Sequence, residues 1–218
     1  MSSLADLVPA GAETGVGLAL RDAAGRYLFF LAGTRHNCPP GERFYAGIGG
    51  HREPGEGWVA CAHREAREEI GVDVELLPAP VTWHLPHAGV PRQVEVGDRP
   101  RPLALYEMVH PAGTPQAGGL YYIVIYRARL CAPPRDLPPD EVGGVLALTT
   151  EQVVCGLEGP VPLGKLLASG AAWVAGPWPD GPAALALRLY PLGTARALGH
   201  VLRELGSGEC AWRVGRGR

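Results

Sequence analysis

Lysine is almost absent from this sequence, because Lys165 is the only lysine in 218 residues and arginine supplies the remaining basic charge. We attribute this to a compositional bias rather than to a surface that reads phosphate groups. The net charge is -2 and the isoelectric point is about 6.4, so neither nucleic acid nor an anionic membrane would attract the whole chain. We therefore expect no nucleic-acid partner, and the basic residues Arg213, Arg216 and Arg218 are interpreted as a disordered tail.

Long apolar runs are also missing. No stretch approaches the roughly 18 apolar residues that a membrane helix needs. The first residues, 1–6, lack the basic and apolar segments of a secretory signal. We therefore expect a cytoplasmic protein that has no membrane partner.

Cysteine and histidine do not form a recognisable metal motif. The five cysteines are widely spread and contain no Cys-x-x-Cys pair, so we expect reduced thiols. His84 and His87 have no third ligand nearby in the sequence, which argues against a zinc site at that pair.

Strand and helix signals alternate through most of the chain, which indicates an α/β protein. The run Leu120–Arg129 contains Tyr-Tyr-Ile-Val-Ile-Tyr and predicts a central strand. We expect one domain over residues 1–159 and an extension over 160–218 that packs on the same domain. The extension is expected to be helical, and one hypothesis is that it forms a homodimer interface. The other predicted strands are Val16–Arg21, Tyr27–Leu31, Phe44–Gly50, Asp73–Leu77, Val81–Leu85, Leu103–Val109 and Glu141–Leu148.

Three carboxylates are crowded on one predicted helix, which extends from about Gly57 to Ile70 and ends at Gly71. Glu65, Glu68 and Glu69 lie three and four residues apart, so they project from one face. Such a group of like charges destabilises a helix and raises at least one pKa unless a cation is held among the carboxylates. A hard divalent cation is the simplest explanation.

The segment 50–72 resembles the complete Nudix hydrolase signature. That pattern is Gly, five residues, Glu, seven residues and then Arg-Glu-aliphatic-any-Glu-Glu-any-Gly-aliphatic. Ala66 is the only weak match, because it is the smallest aliphatic residue that the pattern accepts. The matching residues are Gly50, Glu56, Arg64, Glu65, Ala66, Glu68, Glu69, Gly71 and Val72.

The resemblance implies a Nudix-type α/β/α sandwich with a mixed β-sheet, followed here by the C-terminal helical extension. It also implies a metal-dependent hydrolase that cleaves the diphosphate linkage of a nucleoside diphosphate joined to another moiety, with Mg²⁺ or Mn²⁺ as cofactor. In this interpretation Glu65, Glu68 and Glu69 bind the metal, and Glu68 and Glu69 also belong to the catalytic group. Arg64 is expected to orient the carboxylates.

Two motif residues have alternative explanations. Glu56 is expected near the metal, but an acidic residue at this position could equally cap the N-terminus of the helix. Gly50 could contribute its carbonyl group or its close approach to the metal site, whereas a tight turn alone would also account for a glycine.

The general base is expected outside the motif. Glu141, just before the last predicted strand, is the preferred candidate. Glu107 in the strand Leu103–Val109 is the competitor, and a motif glutamate acting alone is the third option.

The substrate is less well defined than the chemistry. Pro86 lies about fifteen residues beyond the motif, as in ADP-ribose-type members, and weakly favours ADP-ribose or a nucleotide sugar. Trp83, Tyr106 and Tyr121 could stack on a base, although aromatic residues in apolar strands are more often core. The alternative function is a Nudix-fold nucleotide-sensing or regulatory module that binds without turnover. The intact glutamates favour an enzyme.

Overall fold

The computed structural model describes residues 3–112, 116–178 and 180–206. The basic tail that we interpret as disordered, and Cys210, lie outside this part of the chain. The strands are β1 (Glu13–Arg21), β2 (Tyr27–Ala32), β3 (Glu42–Ala46), β4 (Val74–Leu77), β5 (Thr82–Leu85), β6 (Arg92–Val94), β7 (Ala104–Val109), β8 (Leu120–Leu130), β9 (Val142–Leu148), β10 (Val161–Pro162), β11 (Ala172–Ala175) and β12 (Arg188–Pro191). The helices are a 3-10 turn (Leu4–Leu7), α1 (Trp58–Ile70), α2 (Thr150–Gly156), α3 (Leu163–Ala168), α4 (Gly181–Ala186) and α5 (Thr194–Glu204).

The described strands form one mixed sheet of 12 strands. Strand β8 pairs in parallel with β1 and antiparallel with β7 and β4, and β2 pairs antiparallel with β1, β3 and β9. The central position predicted for β8 is confirmed.

Each face of the sheet carries its own hydrophobic layer. On one face Val16, Leu18 and Leu20 of β1 pack in the same cluster as Ala62 and Ala66 of α1. The other face is covered by α2, α3 and α5, whose buried side chains cluster with the alternate residues of the strands. This arrangement confirms the α/β/α sandwich, and it explains why β1 and β2 are apolar on both faces.

Helix α1 has the bounds that the sequence predicts to within one residue. It begins after Gly57 and ends at Gly71, which adopts the left-handed conformation at φ 66° and donates its N–H to the carbonyl of Arg67. The small residues Ala62 and Ala66 are fully buried, so the helix lies close to the sheet. This close packing fixes the side of α1 that presents the carboxylates.

The C-terminal part is not purely helical, which corrects that detail of the expectation. Strand β12 pairs in parallel with β3, β10 pairs with β12, and β11 pairs antiparallel with β9. These strands have only two to four residues, too few for an alternating pattern to appear in the sequence. Residues beyond 160 therefore extend the sheet, and α5 covers its face.

The expectation of reduced thiols is wrong for Cys155. Cys38, Cys61 and Cys131 are free, whereas Cys155 is disulfide-bonded.

No helix in the described ranges combines the length and the apolar character required to cross a bilayer.

Candidate active site

A glycine-rich loop after β3 forms one wall of the site. Its backbone lies along β1, because the N–H of Val16 donates to the carbonyl of Gly50 at 2.9 Å and the N–H of Leu18 donates to the carbonyl of Ile48 at 2.8 Å. Gly49 has φ 142°, and a side chain there would collide with the backbone of β1. The loop can therefore follow the strand only because glycine occupies this position.

Glu65 and Glu69 project from α1 toward this loop and are both buried, at 8% and 3% exposure. The N–H of Gly49 donates to Oε2 of Glu69 at 2.8 Å, and a Cβ on Gly50 would lie 2.7 Å from each carboxylate oxygen of Glu65. Burial and the neighbouring negative charges raise the pKa of both carboxyl groups, that of Glu69 well above its ordinary value. Arg64 beside Glu65 and the N–H of Gly49 beside Glu69 offset this negative charge only in part, because the pKa of both carboxyl groups stays raised.

Arg64 connects the carboxylates of the motif. Its Nη1 donates to Glu65 at 2.8 Å and to Glu68 at 2.9 Å, and its Nη2 donates to the carbonyl of His51 at 2.9 Å. Glu68 differs from the other two helix glutamates because 56% of its side chain is exposed. Arg64 therefore touches Glu65 but not Glu69, so one buried carboxylate of the pair has no guanidinium partner among the described residues.

Glu56 contacts Arg64 rather than the helix terminus. Its two oxygens accept hydrogen bonds from Nε and Nη2 of Arg64, each at 2.9 Å, and Oε2 also accepts from the N–H of Glu53 at 3.0 Å. The hydrogen bonds from Arg64 lower the pKa of Glu56 to about 2. Glu56 is consequently an ionised anchor for Arg64, and its hydrogen bonds are not those of a helix cap.

The two candidate bases outside the motif lie in different surroundings. Glu141, which immediately precedes β9, forms an ion pair with Arg35, and its negative charge acts on both Glu65 and Glu69. Glu107 on β7 instead accepts hydrogen bonds from His84 at 2.8 Å and from the backbone N–H of His87 at 3.0 Å. Glu141, unlike Glu107, is among the main causes that raise the pKa values of Glu65 and Glu69.

The aromatic candidates are divided between the core and a cleft. Trp83 and Tyr121 are buried, at 6% and 5% exposure. Tyr106 is only partly buried and lines a cleft of about 520 Å³ together with Met108 and with Arg196 of α5. His87 and Pro86 also line this cleft, so the segment after β5 forms one of its walls.

Sequence reasoning missed several residues around the motif. Arg35, the partner of Glu141, gave no pattern in the sequence. Glu13, His51 and His110 form a compact cluster, although Glu13 and His110 are 97 residues apart in the chain. His51, directly after Gly50, was the only signal available for this cluster. Burial raises the pKa of Glu13, but hydrogen bonds from both histidines outweigh burial and lower it from its ordinary value.

Comparisons with known proteins agree with the residue pattern. The family model for the NUDIX domain matches residues 12–153. A Nudix hydrolase from Nitrosomonas europaea is 15% identical, the match covering 65% of this chain and 75% of that chain with a TM-score of 0.44. A MutT Nudix hydrolase from Burkholderia pseudomallei is 18% identical, covering 64% and 84% with a TM-score of 0.43. A search of curated proteins found no match.

The family model covers more than half of the chain and includes the entire segment 50–72. That segment holds the glycine loop, the buried carboxylates and their arginine in one continuous element. The chain therefore belongs to the Nudix family of hydrolases, enzymes that act on phosphoanhydride bonds.

Proposed function

We propose that this protein is a Mg²⁺- or Mn²⁺-dependent hydrolase that cleaves the diphosphate linkage of a nucleoside diphosphate joined to another moiety. We favour ADP-ribose or a nucleotide sugar as the substrate. The observation that carries this proposal is the pair Glu65 and Glu69, two buried carboxylates one helical turn apart beside the glycine loop. Burying two like charges together costs free energy that a bound cation would offset.

The donor atoms suit a hard cation. Mg²⁺ prefers oxygen ligands, retains several waters and is commonly shared between carboxylates and substrate phosphates. We assign Glu65, Glu68 and Glu69 as the metal-binding residues, with the carbonyl of Gly50 beside them. Glu56 contributes through Arg64, because both of its oxygens contact that guanidinium.

The protein groups would position the reaction as follows. A bound cation supplies positive charge that weakens the repulsion between the diphosphate and an incoming water. Arg64 holds the carboxylates of Glu65 and Glu68 in place. We assign Glu141 as the group that accepts the proton of the attacking water. Arg35 contacts its Oε1, which would leave Oε2 to take the proton.

The cleft beside α5 supports an elongated substrate. Tyr106 pairs with Ile123 across β7 and β8, Ile123 pairs with Gly15 of β1, and Gly15 bridges His51. Directly paired residues share one face of a sheet. Neighbouring strands are about 4.8 Å apart, so the row from Tyr106 in the cleft to His51 beside Gly50 extends roughly 14 Å. The group linked to the diphosphate would occupy the cleft, where Tyr106 can stack and Arg196 can pair with an anion.

The test is hydrolysis of a substrate panel by the purified protein with Mg²⁺. The panel contains ADP-ribose, nucleotide sugars, dinucleotides and oxidised nucleoside triphosphates, and the products are identified by their phosphate content. We expect cleavage of ADP-ribose or a nucleotide sugar, and loss of turnover in the double variant Glu65→Gln/Glu69→Gln. Tight binding of a panel member without cleavage of any would instead favour the regulatory binding module.

We also propose a homodimer formed through the C-terminal part. Val174, Trp178 and Leu185 in this part are large apolar residues with 38%, 59% and 39% exposure, respectively. A monomeric mass in light scattering at micromolar concentration would contradict this assembly.

A further inference from the structure

A second group of metal-ligating side chains lies outside the motif carboxylates. Glu13 is the first residue of β1, His51 follows Gly50, and His110 follows β7. Their ligand atoms all lie within 4.8 Å of one another. The carboxylate of Glu13 lies between the two imidazoles, with Oε1 2.7 Å from Nε2 of His51 and Oε2 2.8 Å from Nε2 of His110. The proposed hydrolysis does not use any of these three side chains.

The backbone of each residue in the cluster is fixed by the sheet or by a hairpin. Glu13 pairs with Tyr121 of β8, and His51 forms a β-bridge with Gly15. The N–H of His110 donates to the carbonyl of Gly119 at 2.9 Å, which closes the hairpin between β7 and β8. Because strand pairing and the hairpin hydrogen bond already hold the three backbones, binding an ion would not cost a large loss of backbone conformational entropy.

Tyr121 orients both imidazole rings. Its ring lies 4.5 Å from that of His51 at an interplanar angle of 21°, and 5.4 Å from that of His110 at 22°. The two imidazoles are parallel to within 3°. Stacking on a buried tyrosine therefore holds the Nε2 edges of both rings beside the same carboxylate.

The cluster is open to solvent on one side. The side chain of His110 is 8% exposed, that of Glu13 is 31% exposed and that of His51 is 59% exposed. An ion could therefore enter past His51, and its remaining coordination position would face water or a ligand.

We propose that Glu13, His51 and His110 bind one Zn²⁺ per chain, at a site separate from the oxygen-rich site of the motif glutamates. Two imidazoles and one carboxylate are a ligand set that suits zinc, with a fourth position left for water or a phosphate oxygen. Nitrogen ligands favour Zn²⁺ over Mg²⁺, which takes oxygen ligands. The two sites would thus select different ions although Gly50 and His51 are adjacent residues.

The cluster needs only a small rearrangement to hold the ion. Zinc bonds of about 2.0–2.2 Å place tetrahedral ligand atoms roughly 3.4 Å apart. The carboxylate of Glu13 would move back by less than about 1 Å from its present hydrogen bonds. Each Nε2 that now donates to Glu13 must present its lone pair, so its proton moves to Nδ1 or leaves to solvent.

The experiment measures metal binding to the full-length protein rather than turnover. Protein stripped with a chelator is titrated with Zn²⁺ by calorimetry in excess Mg²⁺, which occupies the motif carboxylates. A parallel titration with Co²⁺ is followed by visible absorption, because tetrahedral Co²⁺ with nitrogen ligands absorbs far more strongly than octahedral Co²⁺ with oxygen ligands. We expect one equivalent of each ion to bind and the strong absorption to appear.

Variants separate the two sites. His51→Ala changes an exposed side chain and Glu13→Gln changes a partly exposed one. We expect each to weaken Zn²⁺ binding by more than about 100-fold, since losing even an outer partner of a metal ligand costs about 10–100-fold. His87→Ala changes an exposed histidine outside the cluster and should leave the Zn²⁺ affinity unchanged. The double variant Glu65→Gln/Glu69→Gln should retain Zn²⁺ binding even where Mg²⁺-dependent turnover is lost.

Three results would overturn the proposal. These are the absence of stoichiometric Zn²⁺ binding, unchanged affinity in His51→Ala, and loss of Zn²⁺ in the double glutamine variant. The last result would assign the ion to the motif carboxylates. None of these results depends on the enzyme's activity, so failure here leaves the proposed hydrolysis to be judged by its own test.

Discussion

Arg64 and Glu56 form a bidentate ion pair in which Nε contacts Oε1 and Nη2 contacts Oε2, each at 2.9 Å. The side chains are only 23% and 13% exposed, so solvent screens this pair less than it would a fully exposed one. The guanidinium also reaches Glu65 and Glu68 through Nη1. The hydrogen bonds of Arg64 therefore connect the loop before α1 to the carboxylates on α1.

Replacing Arg64 by lysine should impair metal binding while leaving the positive charge in place. A lysine ammonium cannot form the planar two-bond contact to Glu56 and simultaneously reach Glu65. We expect Mg²⁺ affinity to fall by about 10–100-fold, with a comparable loss in kcat/KM, because outer partners of metal ligands contribute on that scale. Calorimetric Mg²⁺ titration and steady-state kinetics measure the two effects.

Arg67→Lys is the matched control. Arg67 lies on the same helix and pairs with Asp73, but its side chain is 60% exposed. Exposed pairs contribute little, so this variant should behave like the wild type. Equal effects of the two substitutions would contradict a specific role for the guanidinium of Arg64.

The local elements were predictable because each depends on residues close together in the chain. Gly71 ends α1 in the left-handed conformation, and the apolar run of β8 becomes the strand that joins β1 to β7. The spacing of Glu65 and Glu69 likewise placed them on one face of a helix. These features follow from helix and strand periodicity alone.

Features that depend on long-range pairing were not predictable. His110 meets Glu13 only because β7, β8 and β1 are neighbours in the sheet, and no spacing in the sequence reports that adjacency. Arg35 reaches Glu141 across 106 residues. The short strands at the C-terminus were missed because two to four residues are too few to show an alternating pattern.

Glu69→Gln should stabilise the metal-free protein at neutral pH. Burial raises the pKa of Glu69, so the folded state binds this proton more tightly than the unfolded state does. The carboxyl group of Glu69 therefore contributes most to stability below pH 4.5, which is its ordinary pKa. This contribution falls as the pH rises from 4.5 through the pKa of the folded state. Glutamine remains uncharged and can still accept from the N–H of Gly49, so the variant avoids this loss.

The measurement is the difference in unfolding free energy between Glu69→Gln and the wild type, determined in chelator at a series of pH values. Taking the difference removes the contributions of the carboxylates that do not interact with Glu69. We expect it to grow with pH and to reach at least about 1 kcal/mol, which corresponds to about 2–4 °C in Tm for a chain of this size. A pH-independent difference for Glu69→Gln would contradict the argument.

Gly50→Ala should displace the carboxylate of Glu65 without unfolding the protein. A Cβ at this position would come 2.7 Å from both carboxylate oxygens, so the side chain of Glu65 must rotate away. We expect at least a tenfold loss of Mg²⁺ affinity, or about 1.4 kcal/mol. Gly57→Ala lies in the same loop and its Cβ meets open space, which makes it the control. If both variants bound Mg²⁺ like the wild type, the close approach of Gly50 would have no part in the metal site.

The pH dependence of turnover should identify the general base. A base must be deprotonated to accept a proton, so the rate of the wild type should decline on the acidic side of its profile. Glu141→Gln should lower kcat by about 100–10,000-fold and remove that decline, because the acceptor itself is lost. The profiles are measured at saturating Mg²⁺ so that metal binding does not contribute to them.

Glu107→Gln provides the comparison. Its carboxylate contacts His84 and the N–H of His87, and a glutamine oxygen can still accept one of these hydrogen bonds. We therefore expect this variant to keep the acidic decline and most of its activity. If Glu107→Gln removed the decline and Glu141→Gln did not, Glu107 would be the base despite its contacts. If both variants kept the acidic decline, the proton would have to pass to a motif glutamate. The ion pair between Arg35 and Glu141 would then serve only to hold the loop before β9.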